Sequence, residues 1–418
     1  MSTTTATTAS RPSSSPLRVA LLGDPDTTPL YALISAFTAR TGITVEVTGT
    51  PGHAALNALL AERIGDFDLV STHIKYAPSQ ADGILPLDDV LTAEEIAPFK
   101  PIPMALSRMH GRLLQLPRNT DTRLLVSRRS WLDAAGVGPP ATWDELAETA
   151  ARLNDAPAGR YGYAFCCAPS GLFGEFFELM TAFGGQLVTD DGRLDFTGDA
   201  AISALTYLHD LVAVRRVTPP GMLDWDFGDV TQAFLRGEVG IVGDWPSSLP
   251  LLDDPAISAA AGDIVCSLYP TGPAGRFIYS GSHSFAITRA CRDIPAAKAL
   301  LLALTSAEGQ LIEARAGSLP TRSDVAAIVA AETTDPEGRH RQALLEETMA
   351  TAMLSYPALA TYPRIEAIAY AAISGALRGR FGVKEALAGA QKRVDADPAI
   401  VAELQGRAVA SDGGEGGA

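Results

Sequence analysis

A polar break between two strand-like runs, near the first quarter of the chain, constrains the fold most. Residues 111–153 read GRLLQLPRNTDTRLLVSRRSWLDAAGVGPPATWDELAETAARL, which predicts a strand, the break 119–122, a second strand and two helices. Thr142 and Glu145 have the spacing of a capping box, so the second helix is expected to begin there. Such a break indicates a hinge between two lobes, with its polar side chains facing a cleft.

The length and charge of the chain narrow the class of protein. Its 418 residues, 47% hydrophobic and 19% charged, are typical of a globular protein but too many for one ordinary core, so two lobes are expected. A net charge of −15 argues against nucleic acid, because phosphate contacts need clustered Lys and Arg. The sequence contains no apolar run of the about 18 residues that span a bilayer. We expect a monomer that does not span a membrane.

Strand and helix signals alternate at the start of the chain. The apolar run 17–22 predicts a strand, an amphipathic helix follows, and 43–48 alternates as a second strand. After a further helix, 68–71 completes a βαβαβ unit with a parallel sheet. Ligands of such open sheets bind beyond the carboxyl ends of the strands. The predicted rim therefore includes Asp24, after the first strand, and His73, after the third.

Common catalytic and cofactor-binding patterns are missing from the sequence. It contains no G-x-S-x-G, no phosphate-binding loop, no H-E-x-x-H and no G-x-G-x-x-G after the first strand. Its histidines and cysteines lack metal-ligand spacing. We expect no catalysis, no cofactor and no metal, although an enzyme with Asp24 or Asp121 as a base stays open. Buried free thiols are expected, with a Cys266–Cys291 disulfide as the alternative.

A different chemistry recurs: an aromatic ring or a histidine stands beside a polar or charged side chain in loops after predicted strands. Aromatic faces stack on sugar rings, while carboxylates, amides and guanidinium groups bind hydroxyls. Each such residue alone is weak evidence, since a lone Trp is more often part of a core. Together they predict a cleft for a polar small molecule. The six groups are His73–Tyr76, Asn119–Asp121, Trp225–Phe227, Asp244–Trp245, Tyr279–His283 and Arg322.

Four blocks of the sequence resemble family 1 extracellular solute-binding proteins of ABC importers, a class that includes maltodextrin binders. The blocks are 37–47 (FTARTGITVEV), 111–153, 233–245 (AFLRGEVGIVGDW) and 296–324. The second and fourth blocks are the specific ones. Ser127 stands where the family pattern has an asparagine, a departure that we interpret as neutral.

The resemblance implies an α/β fold with two lobes, of the periplasmic-binding-protein type (type II), and a ligand cleft between the lobes. Lobe one would comprise 17–120 plus 277–320, and lobe two 121–276 plus 321–405, with a disordered segment 1–16 and a flexible tail 406–418. The residue pattern and the resemblance together predict these ligand-binding residues: Asp24, His73, Asn119, Asp121, Trp225, Asp244, Trp245, Gly281, Ser282, His283 and Arg322.

The resemblance also implies a function without bond chemistry. The chain would bind a carbohydrate or polyol in the cleft and deliver it to the permease subunits of an ABC importer, at the periplasm or the cell surface. Residues 1–16 lack the charged and apolar regions of a secretory signal, and no lipid-acceptor Cys lies near them. A cytoplasmic sensor or scaffold of the same fold therefore stays an alternative. Arg322 leaves an acidic sugar or a phosphate ester open as the solute, and an importer subunit for a polyamine or an amino acid also stays open.

Overall fold

Two β-sheets and the helices around them make up most of the chain. The computed structural model describes residues 15–22, 28–50, 52–109, 111–279, 282–354 and 356–412. In these ranges the strands are β1 (Leu17–Leu22), β2 (Val45–Thr50), β3 (Leu69–His73), β4 (Arg108–Met109), β5 (Arg112–Leu113), β6 (Leu116–Asn119), β7 (Leu124–Arg128), β8 (Tyr161–Ala164), β9 (Val239–Asp244), β10 (Ile264–Ser267) and β11 (His283–Ile287).

The helices cover both sheets and account for most of the remaining described chain. They are α1 (Thr28–Thr41), α2 (Gly52–Arg63), α3 (Ala77–Gln80), α4 (Ala93–Ile96), α5 (Pro101–Leu106), α6 (Arg129–Ala135), α7 (Trp143–Leu153), α8 (Pro169–Ala182), α9 (Asp199–His209), α10 (Phe227–Leu235), α11 (Leu249–Asp253), α12 (Ile294–Leu304), α13 (Ala307–Arg315), α14 (Ser323–Glu332), α15 (Pro336–Thr351), α16 (Tyr362–Leu377), α17 (Val383–Asp395) and α18 (Pro398–Asp412).

The first sheet contains the predicted βαβαβ unit. Its strand order is β2-β1-β3-β11-β6; β1 is parallel to β2 and β3, while β11 is antiparallel to β3 and β6. The predicted stripe of α1 packs into the core of this lobe, where Phe37 is 2% exposed. Strand β2 begins at Val45, two residues later than expected, because the amide of Ile43 donates to the Thr41 hydroxyl in the turn after α1.

The second sheet has the order β10-β7-β9-β8. Strand β7 is antiparallel to β9 and β10, and β8 is parallel to β9. Helix α7 begins as predicted: the Thr142 hydroxyl accepts from the amide of Glu145 at 3.1 Å. The Glu145 carboxylate, however, accepts from the amide of Ala141 rather than from that of Thr142. Trp143 is 2% exposed and packs in the core of this lobe.

The chain runs between the sheets at the predicted polar break, and a second segment lies beside it. The amide of Thr120 donates to the carbonyl of Leu319 at 3.1 Å, and Asn119 forms a β-bridge with Pro320. Residues 321–323 then bond to 98–100 of the first lobe, and α14 packs on α13. The chain therefore stays with the first lobe until α14 ends.

Another crossing leads from β10 back to β11. The expected lobe division returns the chain to lobe one at 277, but β11 begins only at His283. The reason is that Ile278 bonds to Ala352 and Leu354, which hold this part of the chain in the core of the second lobe. The return to the first lobe thus follows Tyr279.

Three further expectations concern the cysteines, the helices and metal binding. All four cysteines are free thiols, so the disulfide alternative for Cys266 and Cys291 is wrong. Burial raises the pKa of the Cys266 thiol to about 11. None of the helices in the described ranges has the length and apolar character needed to cross a membrane. In the same ranges no cluster of His, Cys, Asp and Glu is arranged to hold a metal ion.

Candidate functional site

Three predicted residues lie side by side at one edge of the first sheet. The register pairs His283, the first residue of β11, with His73 at the end of β3 and with Asn119 at the end of β6. We call these three residues the histidine row. The two imidazole rings meet edge to face, 5.5 Å between centroids, and the amide of His283 donates to Asn119 Oδ1 at 3.3 Å. Strand pairing thus joins three distant parts of the sequence.

Asp121 extends the histidine row toward solvent. Asn119 Nδ2 donates to Asp121 Oδ2 at 3.0 Å, and the same oxygen lies 3.9 Å from Nε2 of His283. The side chains of Asp121 and His283 are 15% and 14% exposed. Both side chains therefore keep some contact with solvent while they lie close to each other.

Aromatic rings lie where the second lobe meets the hinge. Trp245 follows β9, whose last residue Asp244 pairs with Leu124 at the start of β7. The centroid of the Trp245 ring lies 5.4 Å from that of Phe227 and 5.9 Å from that of Tyr279. We call these three residues the aromatic group. Trp245 stays partly exposed, so part of its ring can stack on a solute.

Asp244 lies next to the aromatic group and holds the backbone of Trp245. It is 2% exposed and accepts from the hydroxyl of Thr231 at 2.9 Å and from the amide of Trp245 at 2.8 Å. Burial raises the pKa of the Asp244 carboxyl to about 6, against the lowering effect of these hydrogen bonds. Both oxygens of the carboxylate are thus used within the protein, which suits an anchor for Trp245.

A buried charge cluster behind the aromatic group was missed by the sequence reasoning. Arg123, in the hinge, pairs with Glu175 and Glu178 of α8, and all three side chains are at most 2% exposed. We call them the buried triad. The Arg123 guanidinium lies 4.1 Å from the ring centroid of Tyr279, whose amide donates to Glu178 at 2.8 Å. Two acidic residues in the apolar sequence of α8 were the signal that could have revealed it.

Four further side chains connect the lobes directly, and of these the sequence reasoning named only Tyr76, in the group His73–Tyr76. They are Lys75 and Tyr76, which follow β3, Ser170 of α8 and Glu366 of α16. We call them the cross-lobe bridge. A lysine and a tyrosine just after a strand, beside His73, were the available signal, but the acidic partner lies almost 300 residues away in the chain (|i−j| = 291).

The other predicted residues have different surroundings. Ser282 is buried, and its carbonyl accepts from the amide of Ile74. The carbonyl of Trp225 accepts from the amide of Cys167. The Arg322 guanidinium pairs with Asp324 and lies over the ring of Phe99.

Two predicted ligand-binding positions, Asp24 and Gly281, lie outside the described residues. A surface cavity of about 240 Å³, lined by residues between Val137 and Arg152, includes none of the predicted positions.

Two lobes joined by crossing segments, with polar and aromatic side chains near these crossings, define the class of solute-binding proteins with the periplasmic-binding-protein fold. Residues 24–311, more than half of the chain, match the family of bacterial extracellular solute-binding proteins. The chain belongs to this family. Its members bind solutes and are not enzymes, as the sequence resemblance implied.

Individual proteins show the same relationship. The chain is similar to a probable amino-acid ABC transporter periplasmic-binding protein of Sinorhizobium fredii, with 30% identity over 48% of this chain and 45% of the relative. It is 28% identical to a mannitol-binding protein of Pseudomonas aeruginosa over 50% of this chain and 48% of the relative. The chain thus spans about half the length of these curated relatives.

A solved structure confirms the predicted fold. Maltose-bound MalE3 of T. maritima superposes with a TM-score of 0.81 at 24% identity, covering 91% of this chain and 98% of that one. At this identity the likeness shows the shared two-lobe fold.

Proposed function

We propose that this chain binds a carbohydrate or polyol between its lobes and delivers it to the permease subunits of an ABC importer. One observation carries the proposal: one crossing of the chain links a member of the aromatic group, Tyr279, with a member of the histidine row, His283. Tyr279 ends the second-lobe part of that crossing and His283 begins β11. Ring stacking from one lobe and hydroxyl binding from the other suit a solute with a CH-rich face and several hydroxyls.

The charges near the site favour a neutral solute. The cations of Lys75 and Arg123 already pair with buried carboxylates, and Arg322 pairs with Asp324. An anionic solute would have to displace one of these partners, and at Lys75 or Arg123 this would leave a buried carboxylate unpaired. Hydroxyl groups need only the acceptors and donors that Asn119 and Asp121 provide.

Binding is expected to favour the closed arrangement of the lobes, since only there do both lobes contact the solute. We propose that segments 17–120 and 282–332 move as one lobe and 121–279 and 336–405 as the other. The sequence expectation placed the two later changes of lobe at 277 and at 321. The contacts of Ile278 with the second lobe and of 321–323 with the first lobe support the later positions proposed here. The family of extracellular proteins supports a site of action outside the cytoplasm.

An amino-acid solute is the second candidate, because the Sinorhizobium fredii relative is described as a probable amino-acid binder. An amino acid needs a cation for its carboxylate and a carboxylate for its ammonium group. Asp121 could serve the ammonium group. A calorimetric panel of amino acids beside sugars and polyols separates the two candidates.

Calorimetry with mannitol, ribitol, tagatose and maltose tests the proposal, together with the variant Trp245→Ala. We expect heat with at least one of these solutes and a large loss of affinity in Trp245→Ala. Trp131→Ala is the matched control, because Trp131 is also partly buried in the second lobe but stacks with Arg128 and Arg160. Absence of heat with the whole panel, or wild-type affinity in Trp245→Ala, would refute the proposal.

A further inference from the structure

The cross-lobe bridge is buried although it joins two separate lobes. Lys75 Nζ donates to Glu366 Oε1 at 2.9 Å and also to the hydroxyl of Ser170. The side chains of Lys75 and Glu366 are only 4% and 9% exposed. The Tyr76 hydroxyl donates to the other carboxylate oxygen, Oε2, at 2.6 Å. Both oxygens of Glu366 are thus used by donors of the opposite lobe.

The bridge adjoins the histidine row. The amide of Lys75 donates to Nδ1 of His73 at 3.2 Å, and the ring of Tyr356 connects the two features. Its centroid lies 6.2 Å from that of His73 and 5.9 Å from Nζ of Lys75. The bridge therefore lies at one end of the candidate site rather than on a remote surface.

We propose that the cross-lobe bridge closes this end of the cleft and restricts the site to short solutes, a single sugar ring or a polyol of similar size. The inference rests on the proposed function and adds the size class of the solute. Where the lobes touch and exclude water, a second sugar unit has no space. An extended oligosaccharide would also have to separate the ammonium group of Lys75 from its carboxylate.

The environment of the bridge keeps the Tyr76 hydroxyl available as a donor across the physiological pH range. Burial, and next the negative charge of Glu366, raise the pKa of the Tyr76 hydroxyl well above its ordinary value. The hydroxyl therefore stays protonated and continues to donate. The ring of Tyr76 lies 4.8 Å from Nζ of Lys75, close enough for a cation–π contact. Tyr76 also packs against Tyr362 of α16, 6.3 Å between ring centroids, which adds apolar contact between the lobes.

Calorimetry with solutes of increasing length tests the inference on the full chain. For wild type we expect mannitol or tagatose to bind about 100-fold more tightly than maltotetraose. The double variant Lys75→Ala, Glu366→Ala opens the end of the cleft, so this ratio should fall about tenfold. Circular dichroism checks that this double variant folds. If it does not fold, the single variant Lys75→Ser replaces it, because Glu366 then keeps its hydrogen bond from Tyr76.

The control removes an exposed ion pair of the second lobe, which also contains Glu366. Arg236 and Glu238 are 52% and 41% exposed, so Arg236→Ala, Glu238→Ala should keep the wild-type ratio. Equal affinity of wild type for maltotetraose and for the best short solute would overturn the size restriction while the proposed function stands. An unchanged ratio in the opened variant would overturn it as well. Absence of binding by every solute would instead refute the proposed function, and this inference with it.

Discussion

Replacing Arg123 by methionine tests whether the buried triad holds the hinge to the second lobe. The guanidinium pairs with Glu175 and Glu178, and its Nη2 lies 2.5 Å from Glu178 Oε2. Methionine fills part of the same volume without a charge. Arg123→Met therefore leaves two carboxylates buried beside each other with no cation.

The expected loss of stability is large and depends on pH. Removal of one partner from a buried ion pair costs about 3–5 kcal/mol, and here one cation serves two carboxylates, so we expect about 5 kcal/mol at pH 8. Burial already raises the pKa of Glu178 to about 8, against the lowering effect of Arg123. Loss of the arginine raises this pKa further. A carboxyl with a raised pKa in the folded state stabilises the fold at low pH and loses that contribution as pH rises.

The loss of stability caused by Arg123→Met should therefore fall by at least half at pH 5, where the buried carboxyls of the variant bind protons. Urea unfolding followed by tryptophan fluorescence at pH 5 and pH 8 measures it. Arg315→Met is the control, because Arg315 pairs with Glu332 on the surface, where the side chains are 58% and 44% exposed; we expect little change. A wild-type urea midpoint for Arg123→Met at pH 8, or an equal loss at both pH values, would contradict this reasoning.

Four further substitutions have defined outcomes. Trp245→Ala removes the stacking surface, and titration calorimetry should show about a tenfold to hundredfold weaker affinity for the bound solute. Asp244→Asn removes a carboxyl whose pKa is raised to about 6, so the wild-type loss of stability from pH 4 to pH 6, about 2–3 kcal/mol, should disappear from thermal unfolding curves. Gly174→Ala places a Cβ 2.5 Å from the ring of Tyr279 and should cost about 1–3 kcal/mol. Gly389→Ala, in open space within α17, should instead stabilise the protein by up to about 1 kcal/mol, and equal urea midpoints for these two variants would contradict the packing argument.

The fold was predictable because its signals are local. The strand β1, the helix start at Thr142 and the polar break at 119–122 depend on residues within a few positions of one another. Hydrophobic periodicity and capping act over one or two turns of chain, so the sequence displays them directly. The alternation of strands and helices then implied a parallel sheet, which β1, β2 and β3 form.

The candidate site was predictable only in part. Strand pairing places the predicted residues His73, Asn119 and His283 side by side at the ends of their strands. The partners of Lys75 and Arg123 were missed, because Glu366 and Glu175 reach them only once helices of the second lobe are packed. Likewise, the backbone hydrogen bonds of Ile278 with Ala352 and Leu354 hold this segment in the second lobe, so that β11 begins later than expected. No local sequence pattern indicates these bonds.

Patterns along the chain were sufficient to predict the class of this protein, because the order of strands and helices, the hinge at 119–122 and the family resemblance are all local features. Which charges are buried, and what they contact, depends instead on how distant segments pack. Lys75 and Glu366 are residue types usually found at the surface, but contact between the two lobes removes both from water. The physical reason is that burial and ion pairing are properties of packed surfaces, whereas periodicity is a property of neighbouring residues.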